Sequence, residues 1–437
     1  MTHSFLELLP ALFAEAVRSR WRWLVSSRLY GVCSEPIADH SHPTHSREHA
    51  CQPNALHDSL QPRGLAGALP HKSKSHPGLF AGLSPGEASL CALEDFGRTF
   101  YVESHGVAAF RRHGSARRTT SFWQTAELIE IIEDALDALP DTDGRRQQAL
   151  AALFRGVSLR YGRQWTRVNE FNDDVMWMVL ATLRAHRVLG SPQYLEAAQQ
   201  NFHSVVARAW SADFGGGLWW TTARREKNAC VNGPAVIAGC HLYATTGDPI
   251  YLNVAQHTYG WLRERLFDAE TGRVSDRIES AERSSHGSVV RGATTYNQGT
   301  FIGAGDLLHA ITGEDRYSDD ARLALEFTRR ELVTNGLLRS EGESGDGGGF
   351  KGIFARYAVP FVRRCALDNE EHWLWANAQA AWDRRDALGL IPQDWTQPPH
   401  DHQRRTAPSE SHLTAWDASS GIALLLALAR REHMSEP

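Results

Sequence analysis

Apolar residues recur with a helical period along most of the chain after about residue 82, and clusters of Gly, Pro and Asp interrupt them. Apolar positions three and four residues apart predict amphipathic helices, and the clusters predict the turns between them. The first clear start is Ser84-Pro85-Gly86-Glu87, which has the form of a capping box with proline at the first helical position. The pattern predicts no convincing strand. It predicts twelve helices, near residues 85–101, 121–139, 143–161, 173–189, 191–210, 228–245, 248–267, 296–312, 314–334, 350–365, 368–386 and 411–432.

Three of the predicted turns share one sequence frame, which indicates an internal repeat. Gly190-Ser191-Pro192-Gln193-Tyr194-Leu195 matches Gly247-Asp248-Pro249-Ile250-Tyr251-Leu252, and Gly313 with Tyr317 repeats part of it. In each copy a glycine ends one helix and a second helix begins after a tight turn. The repeated unit is therefore a helical hairpin.

Helical hairpins joined in this way predict an all-α fold, a closed (α/α)6 barrel with six inner and six outer helices. An open solenoid of hairpins shares the signature and is the alternative. Longer, glycine-rich loops follow the second helix of each copy, at residues 214–220, 271–294 and 335–349. In the closed form these loops would gather at one mouth and form a cleft there.

Residues 1–82 differ from the rest of the chain. They are rich in His, Pro and Ser and have weak periodicity, which predicts a poorly ordered N-terminal extension before one catalytic domain at residues 83–437. A metal-binding histidine tract is the alternative. The N-terminus lacks the form of a signal peptide, which favours a cytoplasmic protein, or a secreted one if the start is misassigned.

Composition narrows the possible functions. The chain is 42% hydrophobic and 22% charged, as expected of a globular protein, and its net charge of −5 gives no reason to expect nucleic acid or an anionic membrane as partner. No apolar run is long enough to span a membrane, and we expect a monomer. Fourteen tryptophans exceed what a core needs and fit a surface that binds sugars.

The six cysteines are scattered and show no C-x-x-C pair or zinc-type spacing with histidine. We therefore expect free buried thiols, and neither a metal nor an organic cofactor. The cysteines are Cys33, Cys51, Cys91, Cys230, Cys240 and Cys365.

Two adjacent aspartates, Asp173 and Asp174, open the fourth predicted helix after Asn172, which we expect to be its N-cap. Paired carboxylates in an aromatic setting are what glycoside hydrolysis needs, one to attack the anomeric carbon and one to protonate the leaving oxygen. Their mutual repulsion would keep one protonated while the other is ionised. Two solvated acids in a first turn are the simpler interpretation of such a pair taken alone.

Polar residues at the starts of other predicted helices favour a ligand-binding site over the simpler interpretation. The sixth helix begins with Lys227-Asn228, the eighth begins with Tyr296-Asn297-Gln298-Gly299, and the tenth begins with Asp346 and Phe350-Lys351. Alternate helices belong to the same ring, so these groups would converge on one mouth, as a hydroxyl-rich ligand requires. The loop Gly217-Leu218-Trp219-Trp220 adds aromatic platforms.

With these motifs in hand, the chain resembles glycoside hydrolase family 76, the endo-α-1,6-mannanases and their fungal cell-wall relatives, from about residue 85 to 433. The motifs that carry the resemblance are Asn172-Asp173-Asp174 with Trp177, the 217–220 turn, Lys227-Asn228, Tyr296-Asn297-Gln298-Gly299 and Phe350-Lys351-Gly352-Ile353-Phe354-Ala355-Arg356-Tyr357.

The resemblance implies an (α/α)6 barrel, an oligo- or polysaccharide substrate, and retaining cleavage of α-mannosidic links, of the α-1,6-mannan type. It implies that Asp173 is the nucleophile and Asp174 the general acid/base. The residues that would bind substrate are Asn172, Trp177, Trp219, Trp220, Lys227, Asn228, Tyr296, Asn297, Gln298, Asp346, Phe350 and Lys351.

The sequence departs from the family pattern in two places at the expected cleft. Cys230-Val231-Asn232-Gly233-Pro234 interrupts the sixth helix, where proline would delay or kink it, and residues 345–349 are stripped of side chains. Two other functions stay open. A sugar epimerase of the same fold would need paired histidines at the mouth, whereas His186, His203, His241, His257 and His309 lie singly on helices. A non-catalytic carbohydrate-binding protein is the other.

Overall fold

Twelve α-helices are present in the computed structural model, which describes residues 61–62, 79–281, 284–342, 345–397 and 412–430. Most of the predicted extension, including Cys33 and Cys51, lies outside these residues, and so does Ser411, at the start of the last predicted helix. The helices are α1 (Pro85–Phe100), α2 (Phe122–Ala138), α3 (Arg145–Tyr161), α4 (Asn172–Leu189), α5 (Pro192–Ala209), α6 (Ala229–Thr246), α7 (Pro249–Arg265), α8 (Thr295–Thr312), α9 (Asp315–Glu331), α10 (Phe350–Arg364), α11 (Asp368–Asp383) and α12 (Ser420–Ala429).

The even-numbered helices form a closed inner ring. α2 packs against α4, and the contacts continue in order through α6, α8, α10 and α12, which returns to α2. The odd-numbered helices lie outside this ring, each against one or two of its members. The predicted (α/α)6 barrel is therefore confirmed, and the open solenoid is excluded.

Local signals explain where the helices begin and end. The Ser84 hydroxyl accepts from the Glu87 N–H at 3.2 Å, and the Glu87 carboxylate accepts from the Ser84 N–H at 2.8 Å, which confirms the capping box. Gly190 and Gly247 end α4 and α6 with φ of 67° and 70°, a conformation that favours glycine. These are the hairpin turns that the repeat predicted.

Short antiparallel strands, which the sequence did not predict, occupy the connections. Their ladders lie in segments without alternating hydrophobicity, so the expectation of no strands was wrong. One sheet has the order β1 (Gln61–Pro62), β2 (Tyr101–Ser104) and β3 (Val107–Phe110), and another β4 (Glu226–Asn228), β7 (Arg277–Ala281) and β8 (Ser284–Val290). Two pairs complete the set, β5 (Phe267–Asp268) with β6 (Arg273–Val274) and β9 (Val333–Thr334) with β10 (Leu337–Leu338).

A buried charge network, formed by acidic residues of α2 with Arg184 of α4 and Arg356 of α10, lies inside the ring. Arg356 donates to Glu127 at 2.8 Å and to Asp134 at 3.0 Å, and Arg184 pairs with Asp134 at 2.7 Å. Burial, and then the neighbouring Glu130, raise the pKa of Glu127 to about 8. The network therefore holds more carboxyl groups than its arginines can neutralise.

The four cysteines within the described residues are free thiols, but only Cys230 and Cys240 are buried as expected, whereas Cys91 and Cys365 are partly exposed. Within the same residues, no helix combines the length and apolar character that crossing a membrane requires.

Candidate active site

The aspartate pair lies in the first turn of α4, a helix of the inner ring. Asp173 and Asp174 are its second and third residues, and both are partly buried. The N-cap is Phe171, not Asn172 as the sequence predicted. The buried Asn172 amide donates to the Trp219 carbonyl at 2.8 Å and accepts from Arg208 at 2.6 Å. Asn172 therefore fastens the tryptophan loop to α4 through both of its polar atoms.

Asp173 lies in an environment that favours its protonated form. Burial raises the pKa of its carboxyl to about 6, although Trp220 and Cys230 work in the opposite direction. The Cys230 thiol donates to Asp173 Oδ2 at 3.3 Å. Asp173 Oδ1 and the Trp220 indole nitrogen are both buried, and neither has a hydrogen bond of normal geometry to any described residue. The Trp220 N–H therefore acts on the carboxylate by proximity rather than by a well-formed hydrogen bond.

Asp174 also has a raised pKa. Burial, then the charge of Asp173, and more weakly that of Asp346, raise its pKa to about 7, against a hydrogen bond from the Asn169 amide to Oδ2 at 2.9 Å. Both carboxyls therefore titrate above the ordinary range of aspartate, and the charge of one opposes ionisation of the other, so the pair favours a state that holds one proton. The pair therefore has the unequal protonation that acid–base catalysis by two carboxyls requires.

The two adjacent tryptophans face different surroundings. Trp219 is buried in the protein, with the Lys227 ammonium 4.7 Å from its ring centroid. Trp220 is partly exposed and packs on Phe171 at 5.2 Å. Of the pair, Trp220 is the one that the structure places against Asp173.

The two lysines predicted to bind substrate are fully buried and hold protein groups instead. Lys227 donates to the backbone carbonyls of Ser211 at 3.0 Å, Asp213 at 2.6 Å and Gly216 at 2.6 Å. Lys351 donates to the Gln393 carbonyl, and its ammonium lies 3.8 Å from the centroid of the Trp395 ring. Each lysine thus binds a carbonyl group of a neighbouring loop. Lys227 holds its loop close to the start of α6, and Lys351 holds its loop close to the start of α10.

Aromatic residues from three ring helices meet beside the pair. Tyr296 of α8 stacks on Phe350 of α10, with ring centroids 3.9 Å apart and an interplanar angle of 20°, and it lies 6.4 Å from Trp177 of α4. Trp177 is itself buried. Tyr296 and Phe350 remain partly exposed, so they are better placed than Trp177 to contact a ligand.

Several buried amide groups near the helix starts have no hydrogen-bond partner among the described residues. They are Asn228 Oδ1, Asn297 Oδ1 and both amide atoms of Gln298. Buried polar atoms are normally hydrogen-bonded, so such a set near one mouth is typical of a site that binds polar groups. Asp346, the last predicted site residue, is exposed and close enough to Asp174 to raise its pKa.

Sequence reasoning missed three side chains of this site. Asp276, in the 271–294 loop, accepts from the Asn297 amide at 3.4 Å and acts electrostatically on Cys230 and Tyr296. Asn169 binds Asp174, and Cys230 binds Asp173. Cys230 stood out only as a departure from the family pattern, and the other two carry no motif of their own.

Pro234 neither delays nor interrupts α6, which starts at Ala229 and continues through it. A proline here removes only one helical hydrogen bond, to the carbonyl four residues earlier. The glycines in residues 345–349 also have a structural reason, because a Cβ on Gly349 would come within 2.3 Å of the Trp416 ring.

The five helical histidines lie in the middle or last turns of their helices, away from the starts that form this site. Among the described residues, no group of three or more His, Cys, Asp or Glu is arranged to hold a metal ion.

Comparison with known protein families gives a match to the model of glycosyl hydrolase family 76 over residues 92–421. The chain belongs to this family. The resemblance drawn from the motifs is therefore confirmed. Family 76 relatives include mannan endo-1,6-alpha-mannosidases of Candida glabrata, 26% identical over 230 residues, and of Saccharomyces cerevisiae, 27% identical over 264 residues. These alignments cover 48% and 55% of this chain, which spans 51% and 58% of the length of those two relatives.

Solved structures of family 76 show the same fold. The alpha-1,6-mannanase of Salegentibacter is 30% identical, with a TM-score of 0.70, and the match covers 79% of this chain and 99% of that one. An inactive variant of that mannanase, with two adjacent aspartates changed to asparagine, is in complex with alpha-1,6-mannotriose and also has a TM-score of 0.70, at 29% identity and with the same coverage.

Proposed function

We propose that the protein is a glycosidase that hydrolyses α-1,6-mannosidic bonds in mannan or its oligosaccharides. The observation that carries this proposal is the pair Asp173 and Asp174, held in the first turn of one ring helix with pKa values of about 6 and about 7. Family membership supports the reaction class, and the bound mannotriose in the Salegentibacter variant supports the substrate class. We assign the activity to the helical domain predicted at residues 83–437.

In the proposed reaction, Asp173 attacks the anomeric carbon while Asp174 gives its proton to the leaving oxygen. A glycosyl–Asp173 ester results. Asp174, now ionised, takes a proton from water as that water attacks the ester, which releases the sugar with retained configuration. A carboxyl pair that shares one proton supports this reaction, since the nucleophile must be ionised and the acid protonated at the start.

Several groups would bind the sugar. Trp220, Tyr296 and Phe350 offer partly exposed rings next to the carboxyl pair. The unpartnered Oδ1 of Asn297 offers an acceptor for hydroxyl groups, and the side-chain amide of Gln298 offers both a donor and an acceptor. Asn172, Lys227 and Lys351 would hold the surrounding loops in place rather than bind the sugar, because their polar atoms form hydrogen bonds within the protein.

The first experiment replaces each aspartate by asparagine and measures hydrolysis of α-1,6-mannooligosaccharides. Each variant is expected to lose about 1000-fold or more in kcat/KM, about 4 kcal/mol of barrier, while its melting temperature stays close to wild type. Asp315→Asn is the matched control, since Asp315 is a first-turn acid of an outer helix. The wild-type kcat/KM should peak between pH 6 and 7 and fall on both sides. Retained hydrolysis in either variant would contradict the assignment.

Azide distinguishes the two roles. With an activated α-mannosyl donor, Asp173→Ala should form the β-azide, because azide attacks the donor directly. Asp174→Ala should form the α-azide, because azide attacks the glycosyl–Asp173 ester. Product NMR of the wild-type reaction separates hydrolysis from transfer and endo from exo action. Binding of mannooligosaccharides without turnover would favour the non-catalytic alternative.

A further inference from the structure

The second residues of three successive ring helices meet at the base of the site. They are Asp173 of α4, Cys230 of α6 and Tyr296 of α8. Neighbouring helices of the inner ring pack side by side with their starts at the same mouth, so equivalent positions become adjacent. The internal repeat therefore places a thiol directly beside the carboxylate to which we assign nucleophilic attack.

The Cys230 thiol is placed to donate a hydrogen bond rather than to react as a thiolate. Its side chain is 4% exposed, and its Sγ lies 3.3 Å from Asp173 Oδ2. Burial, followed by the charges of Asp173 and Asp276, raises the pKa of the thiol well above its ordinary value, against a contact with Tyr296 that lowers it. The sulfur therefore keeps its proton, and that proton has the carboxylate oxygen as its acceptor.

A second cysteine of the same helix gives the comparison. Cys240 is equally buried at 1% exposure, and burial alone raises the pKa of its thiol to about 12. Within the part of the chain that the structure describes, no carboxylate contributes to this shift. A small apolar filler is thus a sufficient account of Cys240, whereas Cys230 has in addition a charged partner at hydrogen-bond distance.

We propose that Cys230 is a positioning residue for Asp173, whose thiol hydrogen bond orients the carboxylate and stabilises its ionised form. This inference rests on the proposed function of the site. The groups that face the thiol and the carboxylate are Asp174 on α4, Tyr296 on α8 and Asp276 in the 271–294 loop. All three are retained in the variants below. A change in the acid limb of the pH profile of kcat/KM can therefore be assigned to the loss of the thiol.

The test compares Cys230→Ala and Cys230→Ser by the pH dependence of kcat/KM, with Cys240→Ala as the matched control. Loss of the donor in Cys230→Ala should move the acid limb upward by about 0.5 to 1 pH unit, a three- to tenfold loss at pH 5. The serine hydroxyl keeps a donor, so its acid limb should stay at or below that of the wild type. Cys240→Ala should keep the wild-type profile.

An unchanged acid limb in Cys230→Ala, or equal upward shifts in the alanine and serine variants, would overturn the inference. A second readout keeps it independent of activity. Carboxyl ¹³C NMR of Asp-labelled protein, with the Asp173 signal assigned from Asp173→Asn, should show the same upward shift in Cys230→Ala. If Asp173→Asn remains active, the proposed function fails while this titration still tests the hydrogen bond.

Discussion

Replacing Glu127 by glutamine should make the protein more resistant to alkaline unfolding. Glu127 is 1% exposed, one of its oxygens has no partner within the protein, and the other accepts from Arg356. Burial and Glu130 raise its pKa from 4.5 to about 8, so the folded protein carries this carboxyl protonated at neutral pH. Glutamine reproduces that neutral form at every pH and can still accept from Arg356.

The sign and size follow from proton linkage. Above pH 4.5 the unfolded chain has lost the proton that the folded protein keeps up to about pH 8. Unfolding therefore releases a proton, and stability falls as the pH rises through this window, by about 1.36 kcal/mol per unit. Between pH 6 and pH 8 the wild type should lose about 2 kcal/mol that Glu127→Gln does not lose. With about 2.1 cal/mol/K of unfolding entropy per residue over roughly 350 residues, the melting temperatures should diverge by about 3 °C.

Differential scanning fluorimetry at pH 6, 7 and 8 measures this divergence. The raised pKa values of Asp173 and Asp174 also make stability fall as the pH rises. Wild type and Glu127→Gln both retain this pair, so its contribution cancels when the two proteins are compared. Asp134→Asn is the contrasting variant, because it breaks ion pairs to Arg184 and Arg356 and should lower the melting temperature at every pH. Parallel melting curves for Glu127→Gln and wild type would refute the reasoning.

Two further predictions concern local structure. Ser84→Ala removes the hydroxyl that caps α1 and accepts from Glu87 N–H, and should cost about 1 kcal/mol, measured as a melting temperature lowered by about 1–2 °C. Gly217→Ala forces a Cβ to within 2.4 Å of the Trp261 ring at φ +78° and should cost about 2–4 kcal/mol and lower activity by displacing the tryptophan loop. Gly336→Ala has a similar φ of +80° with nothing within 4 Å, so an equally large loss there would assign the effect to backbone conformation alone.

Most of the helical fold could be predicted from the sequence, because the turn residues and the spacing of apolar residues indicate the same helix boundaries. Gly190 and Gly247 occur where left-handed caps are needed, and Ser84 with Glu87 marks the first start. The last helix was predicted too long at its start, where Thr414 and Asp417 form a side-chain-bonded turn before Ser420. Such a turn competes locally with helix and leaves no break in the apolar pattern.

The direction of polar side chains in the site could not be predicted in the same way. Lys351 lies in the first turn of α10, as expected, whereas Lys227 lies in β4 just before α6, and the ammonium groups of both bind carbonyls of neighbouring loops. A motif gives the position of a lysine but not the loop that folds over it. Asp276 and Asn169 reach the site from loops whose paths depend on tertiary contacts, so no local pattern marked them.

The closed inner ring also bears on how this protein is made. α2 and α12 complete the ring, although nearly the whole of the domain separates them along the chain. During synthesis from the N-terminus, the faces of α2 and α10 that α12 covers stay uncovered until α12 itself has been made and can pack against them. Closure of the ring therefore depends on contacts of high contact order, and loss of α12 would expose an apolar seam along α2 and α10.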